Sequence, residues 1–183
     1  MLMRNVIYIS GRGGDAAKGL GGYIRDNVES YVGVSLSIDF LKADFTNQVD
    51  AIQRLINEYS NHDIVANSYG AYLLLHALVD NTPTERNIKL MSPVLGKGIS
   101  KNMMFSSRPP SVKRLMDSIE EKGLSLSEST YIYIGEQDSG YCPELTQIYA
   151  DYIGEDHVFV LQGESHSLSK ETVRTILGFE GTR

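Results

Sequence analysis

Short apolar runs alternate with amphipathic stretches along almost the whole of this 183-residue chain. That rhythm restricts the fold more than any other feature. Val6-Ile7-Tyr8-Ile9 is β-rich and ends in glycines, after which Leu20, Ile24, Val28 and Tyr31 recur at helical spacing. Val34-Ser35-Leu36-Ser37-Ile38 reads as a second strand, Phe45, Val49, Ile52, Ile56 and Tyr59 as a helix, and Asp63 to Asn67 as a third strand. Ala71 to Val79 is a helical run, and Asn87-Ile88-Lys89-Leu90-Met91 a strand stopped by Ser92-Pro93. Tyr131 to Ile134, a helix from Leu145 to Ile153, a strand from His157 to Leu161 and a helix from Leu168 to Leu177 complete the series. Regular βα alternation predicts an α/β three-layer sandwich, a mostly parallel sheet of about six strands with helices on both faces. The length suits one domain spanning residues 1–183.

One segment breaks the rhythm. Between Pro93 and Thr130 lie Gly96, Gly98, Met103, Met104, Phe105 and Pro109-Pro110, and only Val112, Leu115, Met116 and Ile119 there suggest a helix. Loops after strand C-termini carry the ligand site in such sheets, so this stretch reads as a flap over a pocket or as an irregular connection.

The pentad Ala66-Asn67-Ser68-Tyr69-Gly70 joins the third strand to an apolar helix. A small residue two before a serine and a glycine two after it are what a sharp strand-to-helix turn requires, since bulk at either flank would clash with strand and helix. Such a turn lifts the hydroxyl clear of the sheet at a helix N-terminus, where free N–H groups favour developing negative charge. An ordinary capping serine is the plainer reading.

Two further loops supply partners. After the fifth strand, Gly135-Glu136-Gln137-Asp138 places a carboxylate at the strand's C-terminal end, and after the sixth, Gly163-Glu164-Ser165-His166 places an imidazole ahead of the last helix. A serine hydroxyl is a poor nucleophile until an imidazole takes its proton, and the imidazole needs a carboxylate to fix its tautomer and stabilise its charge. The chain order Ser68, Asp138, His166 is the one expected when this chemistry is mounted on a parallel sheet. His62 precedes a strand and His157 opens one, so both belong at the opposite edge, while His76 lies within a helix.

The glycine turn after the first strand, the pentad, the Gly135-x-x-Asp138 loop with Pro143 and Gly163-x-x-His166 together resemble the α/β-hydrolase superfamily, specifically its small serine hydrolases. The resemblance covers nearly the full length. It implies Ser68 as nucleophile, His166 as general base and acid, and Asp138 as its orienting carboxylate, with no metal or organic cofactor. In that family the loop after the first strand commonly carries a His-Gly pair and gives one oxyanion-hole N–H. Here Ser10-Gly11-Arg12-Gly13-Gly14 takes the place, so Arg12 and Tyr69 are the implied backbone donors. With little chain available for a cap, a shallow or open pocket bordered by Met103, Met104, Phe105 and Tyr141 is expected. That favours a carboxylesterase or thioesterase acting on a small acyl substrate.

Gly11-x-Gly13-x-x-Ala16 after a strand also matches the dinucleotide-binding fingerprint, with Asp39 ending the second strand as the ribose-binding acid. Against it, Asp15 would sit close to the pyrophosphate, and no tyrosine is followed four residues later by lysine. A phosphate-binding P-loop is excluded, because Gly14 and Gly19 are followed by Leu20 rather than lysine. A non-catalytic binding protein on the same scaffold is a third reading. The net charge of −6 gives no reason to expect nucleic acid or an anionic membrane as partner. A lone cysteine, Cys142, rules out an intramolecular disulfide. The apolar run near the N-terminus is too short for a signal peptide's core, so the chain reads as cytoplasmic.

Overall fold

In the computed structural model, which describes residues 4–82, 85–96 and 109–179, the alternation becomes one six-stranded sheet with every strand parallel to its neighbours. The elements run β1 (Asn5–Arg12), α1 (Gly19–Arg25), β2 (Ser30–Leu36), α2 (Ile38–Leu41), α3 (Phe45–Glu58), β3 (Asp63–Asn67) and α4 (Tyr69–Ala77). They continue as β4 (Ile88–Met91), α5 (Val112–Glu120), β5 (Thr130–Gly135), α6 (Pro143–Ile153), a 3-10 turn at Glu155–His157, β6 (Val158–Leu161) and α7 (Lys170–Leu177).

The strand order is β2-β1-β3-β4-β5-β6. The chain steps outward from β1 to β2, returns past β1 to β3, and then advances steadily to β6. The direction reverses between β1 and β3, and the connections leaving these two strands part there. A crevice opens at their C-terminal ends, as doubly wound sheets require.

Alternating side chains send β1 into two cores. Ile7 and Ile9 join Ile64, Leu90 and Ile132 beneath α3, α4, α5 and α6, whereas Val6 and Tyr8 join Val65 and Met91 beneath α1 and α7. Strands covered on both faces can be apolar throughout, which is why β1 and β3 read as continuous runs. The same logic explains α4. All nine of its residues are buried, so it has no polar face and shows no amphipathic period. Among the described residues no helix is long and apolar enough to cross a membrane.

Several boundaries differ from the expectation. β2 begins at Ser30, so Tyr31 belongs to a strand, and α1 ends at Arg25 before Val28. β2 is an edge strand whose residues are mostly half-exposed, so its apolar content understates its length. Ile38 lies in α2 with 74% exposure instead of closing β2, because Ser37 caps that helix by accepting from the Phe40 N–H at 3.3 Å. The last strand starts at Val158, leaving His157 in the 3-10 turn.

Candidate active site

Ser68 is the one residue between β3 and α4, with φ +52° and ψ −118°. A non-glycine residue rarely adopts that backbone, and strain of this kind gathers at functional sites. Its neighbours hold it there. The Ser68 N–H donates to Met91 O of β4 at 3.0 Å, and the Val94 N–H donates to Ser68 O at 3.2 Å. Gly70 is required for the turn, since a Cβ would lie 2.3 Å from Ser10 O and 2.8 Å from Ile9 O. Ala66 in the preceding strand is fully buried between Ile9 of β1 and Leu90 of β4, so the methyl that stands where the usual pattern has glycine is absorbed by the core.

Asp138 and His166 come from the loops after β5 and β6, and both reach Ser68's end of the sheet. The His166 Nδ1–H donates to Asp138 Oδ2 at 2.8 Å, because a carboxylate can only accept, and the Ser68 hydroxyl donates to His166 Nε2 at 3.0 Å. Asp138 is nearly fully buried, and its other oxygen accepts from the Gly140 N–H at 2.8 Å. The hydrogen bond to Asp138 holds the His166 imidazole's pKa above its ordinary value, with burial pulling the other way. Ser68, His166 and Asp138 thus form one hydrogen-bonded row.

The loop carrying His166 is pinned at both ends. At one end, the Gln137 N–H donates to Glu164 O at 2.8 Å. At the other, the Glu164 carboxylate accepts from the Ser169 N–H at 2.8 Å, from the Ser169 hydroxyl at 2.6 Å and from the Thr172 hydroxyl. These bonds lower the Glu164 pKa and tie the loop to the first turn of α7. Neither Glu164 nor the close packing of Gly135 on this loop has a local sequence signal beyond the glycine of Gly135-x-x-Asp138.

A cleft of about 730 Å³ opens over Ser68 and His166. The ends of β1 and β3 wall it, through Gly11, Arg12, Asn67 and Tyr69, and Val94, Pro109 and Pro110 close it from the segment after β4. Tyr69 opens α4, so its N–H has no partner within the helix and faces the Ser68 end. Arg12 is the last residue of β1 and lines the cleft with its guanidinium over the Tyr69 ring, 5.6 Å from the centroid. Ser10, at the position where the resemblance leads one to expect histidine, has a structural role. Its buried hydroxyl accepts from the Leu36 N–H at 2.9 Å and donates to Gly11 O at 3.1 Å or Gly14 O at 3.2 Å, fixing the loop beside Ser68. Met103, Met104 and Phe105, expected at the pocket border, lie outside the described residues. Tyr141, the fourth, is half-buried against the main core and is not part of the cleft lining.

The remaining histidines have other work. His62 meets Ser30 Oγ at 3.1 Å at the N-terminal end of β3, and His157 meets Thr130 O at 2.9 Å. His76 is buried in α4. The dinucleotide fingerprint finds no matching geometry. α1 starts at Gly19, well after Gly11 and Gly13, so these glycines do not open a helix. Asp39 sits beyond β2 in α2, 89% exposed and paired with Lys42 at 2.8 Å. Among the described residues there is no group of three metal-ligating side chains.

No family model matches the chain, and no curated protein matches it either. Solved structures do. Est1E from Butyrivibrio proteoclasticus superposes with a TM-score of 0.66 at 12% identity, over 97% of this chain and 87% of that one. Esterase PE8 gives 0.65 at 12% identity, over 97% and 91%. A monoacylglycerol lipase from Paleococcus ferrophilus gives 0.64 at 11% identity, over 97% and 95%. With its parallel sheet, its helices on both faces and these neighbours, the chain has the α/β-hydrolase fold.

Proposed function

We propose that the protein is a serine hydrolase that cleaves small acyl esters or thioesters through a covalent acyl-enzyme. The observation that carries this reading is the row Asp138–His166–Ser68, at 2.8 and 3.0 Å, on a strained strand-to-helix turn at the sheet's switch point. Ser68 Oγ attacks the acyl carbon while its proton passes to His166 Nε2, and Asp138 stabilises the imidazolium. The N–H groups of Tyr69 and Arg12 receive the oxyanion, each such donor being worth roughly 3 kcal/mol of barrier. The tetrahedral adduct collapses, the alcohol or thiol leaves with the proton from His166, and water repeats the sequence in reverse to release the acid and restore Ser68.

The neighbours' names, an esterase and a monoacylglycerol lipase, support acyl chemistry. The modest cleft favours small acyl groups. Fluorophosphonate labelling tests the reading directly. Native protein should be labelled, and Ser68→Ala and His166→Ala should not. Labelling that survives Ser68→Ala, or native protein that stays unlabelled, overturns it.

A further inference from the structure

The cleft is lined by more basic charge than acidic. Arg12 and Lys18 face it, and among the described residues Asp15 is the one acidic side chain in its wall. Asp15 is already engaged, with Lys18 at 3.2 Å and the Ala17 N–H at 2.9 Å. No carboxylate lies within ion-pair distance of the Arg12 guanidinium among the described residues; its neighbour there is the face of the Tyr69 ring at 5.6 Å. In a chain with 23 acidic and 17 basic residues, an arginine left without an acid beside the residue that follows Ser68 is a departure from the surrounding charge balance.

A guanidinium is a planar fork of donors matched to a carboxylate or phosphate, and cation–π attraction to an aromatic face uses none of those donors. Among the described residues the donors of the Arg12 guanidinium therefore have no hydrogen-bond acceptor. Resting on the hydrolase reading, we propose that the cleft selects substrates that carry an anionic group, a carboxylate in the simplest case, which Arg12 receives while the carbonyl lies at Ser68. The backbone of Arg12 then serves the oxyanion and its side chain serves specificity.

The test compares charged and neutral esters in two matched pairs. One pair carries the charge on the acyl side: 4-nitrophenyl butyrate against the mono-4-nitrophenyl ester of succinic acid. The other carries it on the alcohol side: phenyl butyrate against 3-carboxyphenyl butyrate. In native protein the charged member of at least one pair should have roughly tenfold or greater kcat/KM, expressed in KM, as a charged hydrogen bond implies. The charged-to-neutral ratio should fall toward one in Arg12→Gln, survive in part in Arg12→Lys, and shrink in 0.5 M sodium chloride. Turnover of the neutral esters with a ratio at or below one in both pairs, or a ratio untouched by Arg12→Gln, overturns the proposal while leaving the hydrolase reading standing. Absence of turnover together with absence of fluorophosphonate labelling overturns both.

Discussion

Gly135, the last residue of β5, lies against the backbone of Glu164 so closely that a Cβ on it would be 2.4 Å from Glu164 O and 2.5 Å from Ser165 O. The loop that carries His166 therefore rests on the strand that leads to Asp138, and the missing side chain lets the two approach. Gly135→Ala must push backbone away from backbone, displacing His166 from both Asp138 and Ser68. A displacement near 1 Å costs roughly a hundredfold in rate, and overpacking adds about 1–3 kcal/mol of lost stability. Ester kcat/KM measured beside a urea titration checks both. Wild-type kcat/KM in the alanine variant would show that the contact does not position the histidine.

The strain at Ser68 makes a second prediction, in which an ordinary stability ranking is inverted. At most positions glycine is less stable than alanine by about 0.5–1 kcal/mol, because it loses more backbone freedom on folding. At φ +52° the alanine Cβ is strained and glycine is not. Ser68→Ala and Ser68→Gly both lose the hydroxyl, so comparing them isolates the backbone. Ser68→Gly should be the more stable by about 1 kcal/mol, read from denaturant midpoints at equal m-values. Alanine equal to or better than glycine would mean the turn is relaxed.

How much of this was legible in the residues depended on whether the signal was local. The meeting of Ser68, Asp138 and His166 is readable because each lies on the turn or loop that follows a strand, and all strands of a parallel sheet deliver their C-terminal ends to one edge. The limits of β2 are not, since an edge strand needs no apolar alternation and Tyr31 fits the preceding helical period equally well. Pro109 and Pro110 reach the cleft through a tertiary tie, the Tyr72 hydroxyl donating to Pro110 O at 2.6 Å, which leaves no periodic trace. Asp39 fits the rival fingerprint for a related reason: the fingerprint specifies residue types and spacing, whereas its meaning needs a helix opening at the glycines, and α1 opens at Gly19.

On the proposed hydrolase reading, His166 sets the acid limb of activity. To accept the Ser68 proton the imidazole must be neutral, and Asp138 raises its pKa above the ordinary value of about 6.5. Ester kcat/KM should therefore fall as pH drops through a midpoint above about 6.5. In Asp138→Asn the largest cause of the shift is gone, so the midpoint should move down and the plateau should drop roughly 10³–10⁴-fold. The linked stability has the opposite sense. A raised folded pKa stabilises the protein below the unfolded value and loses that contribution as pH rises through the folded one. An unshifted limb in Asp138→Asn would show that the carboxylate does not set the imidazole's titration.

Acid stability should depend on His76, outside the candidate site. Its ring is 1% exposed in α4, edge-on to Phe45 and Tyr72, with Arg114 Nη1 donating to Nδ1 at 3.3 Å. The proton of the neutral ring is then on Nε2, which has no partner among the described residues. Burial first, and the Arg114 charge second, push its pKa down to about 4. The unfolded chain would protonate near 6.5 while the folded one holds the ring neutral, so stability is unaffected above about pH 6.5 and declines as pH falls from there to about 4. The loss attributable to this one group reaches up to roughly 3 kcal/mol. His76→Gln removes the titration, and Arg114 keeps its second bond, to the backbone oxygen of residue 76 at 3.2 Å. Urea midpoints across this range should therefore fall more steeply for the native protein than for His76→Gln. Parallel curves would mean that the buried ring is protonated in the folded state, with Nε2 served by a partner that stabilises the charge.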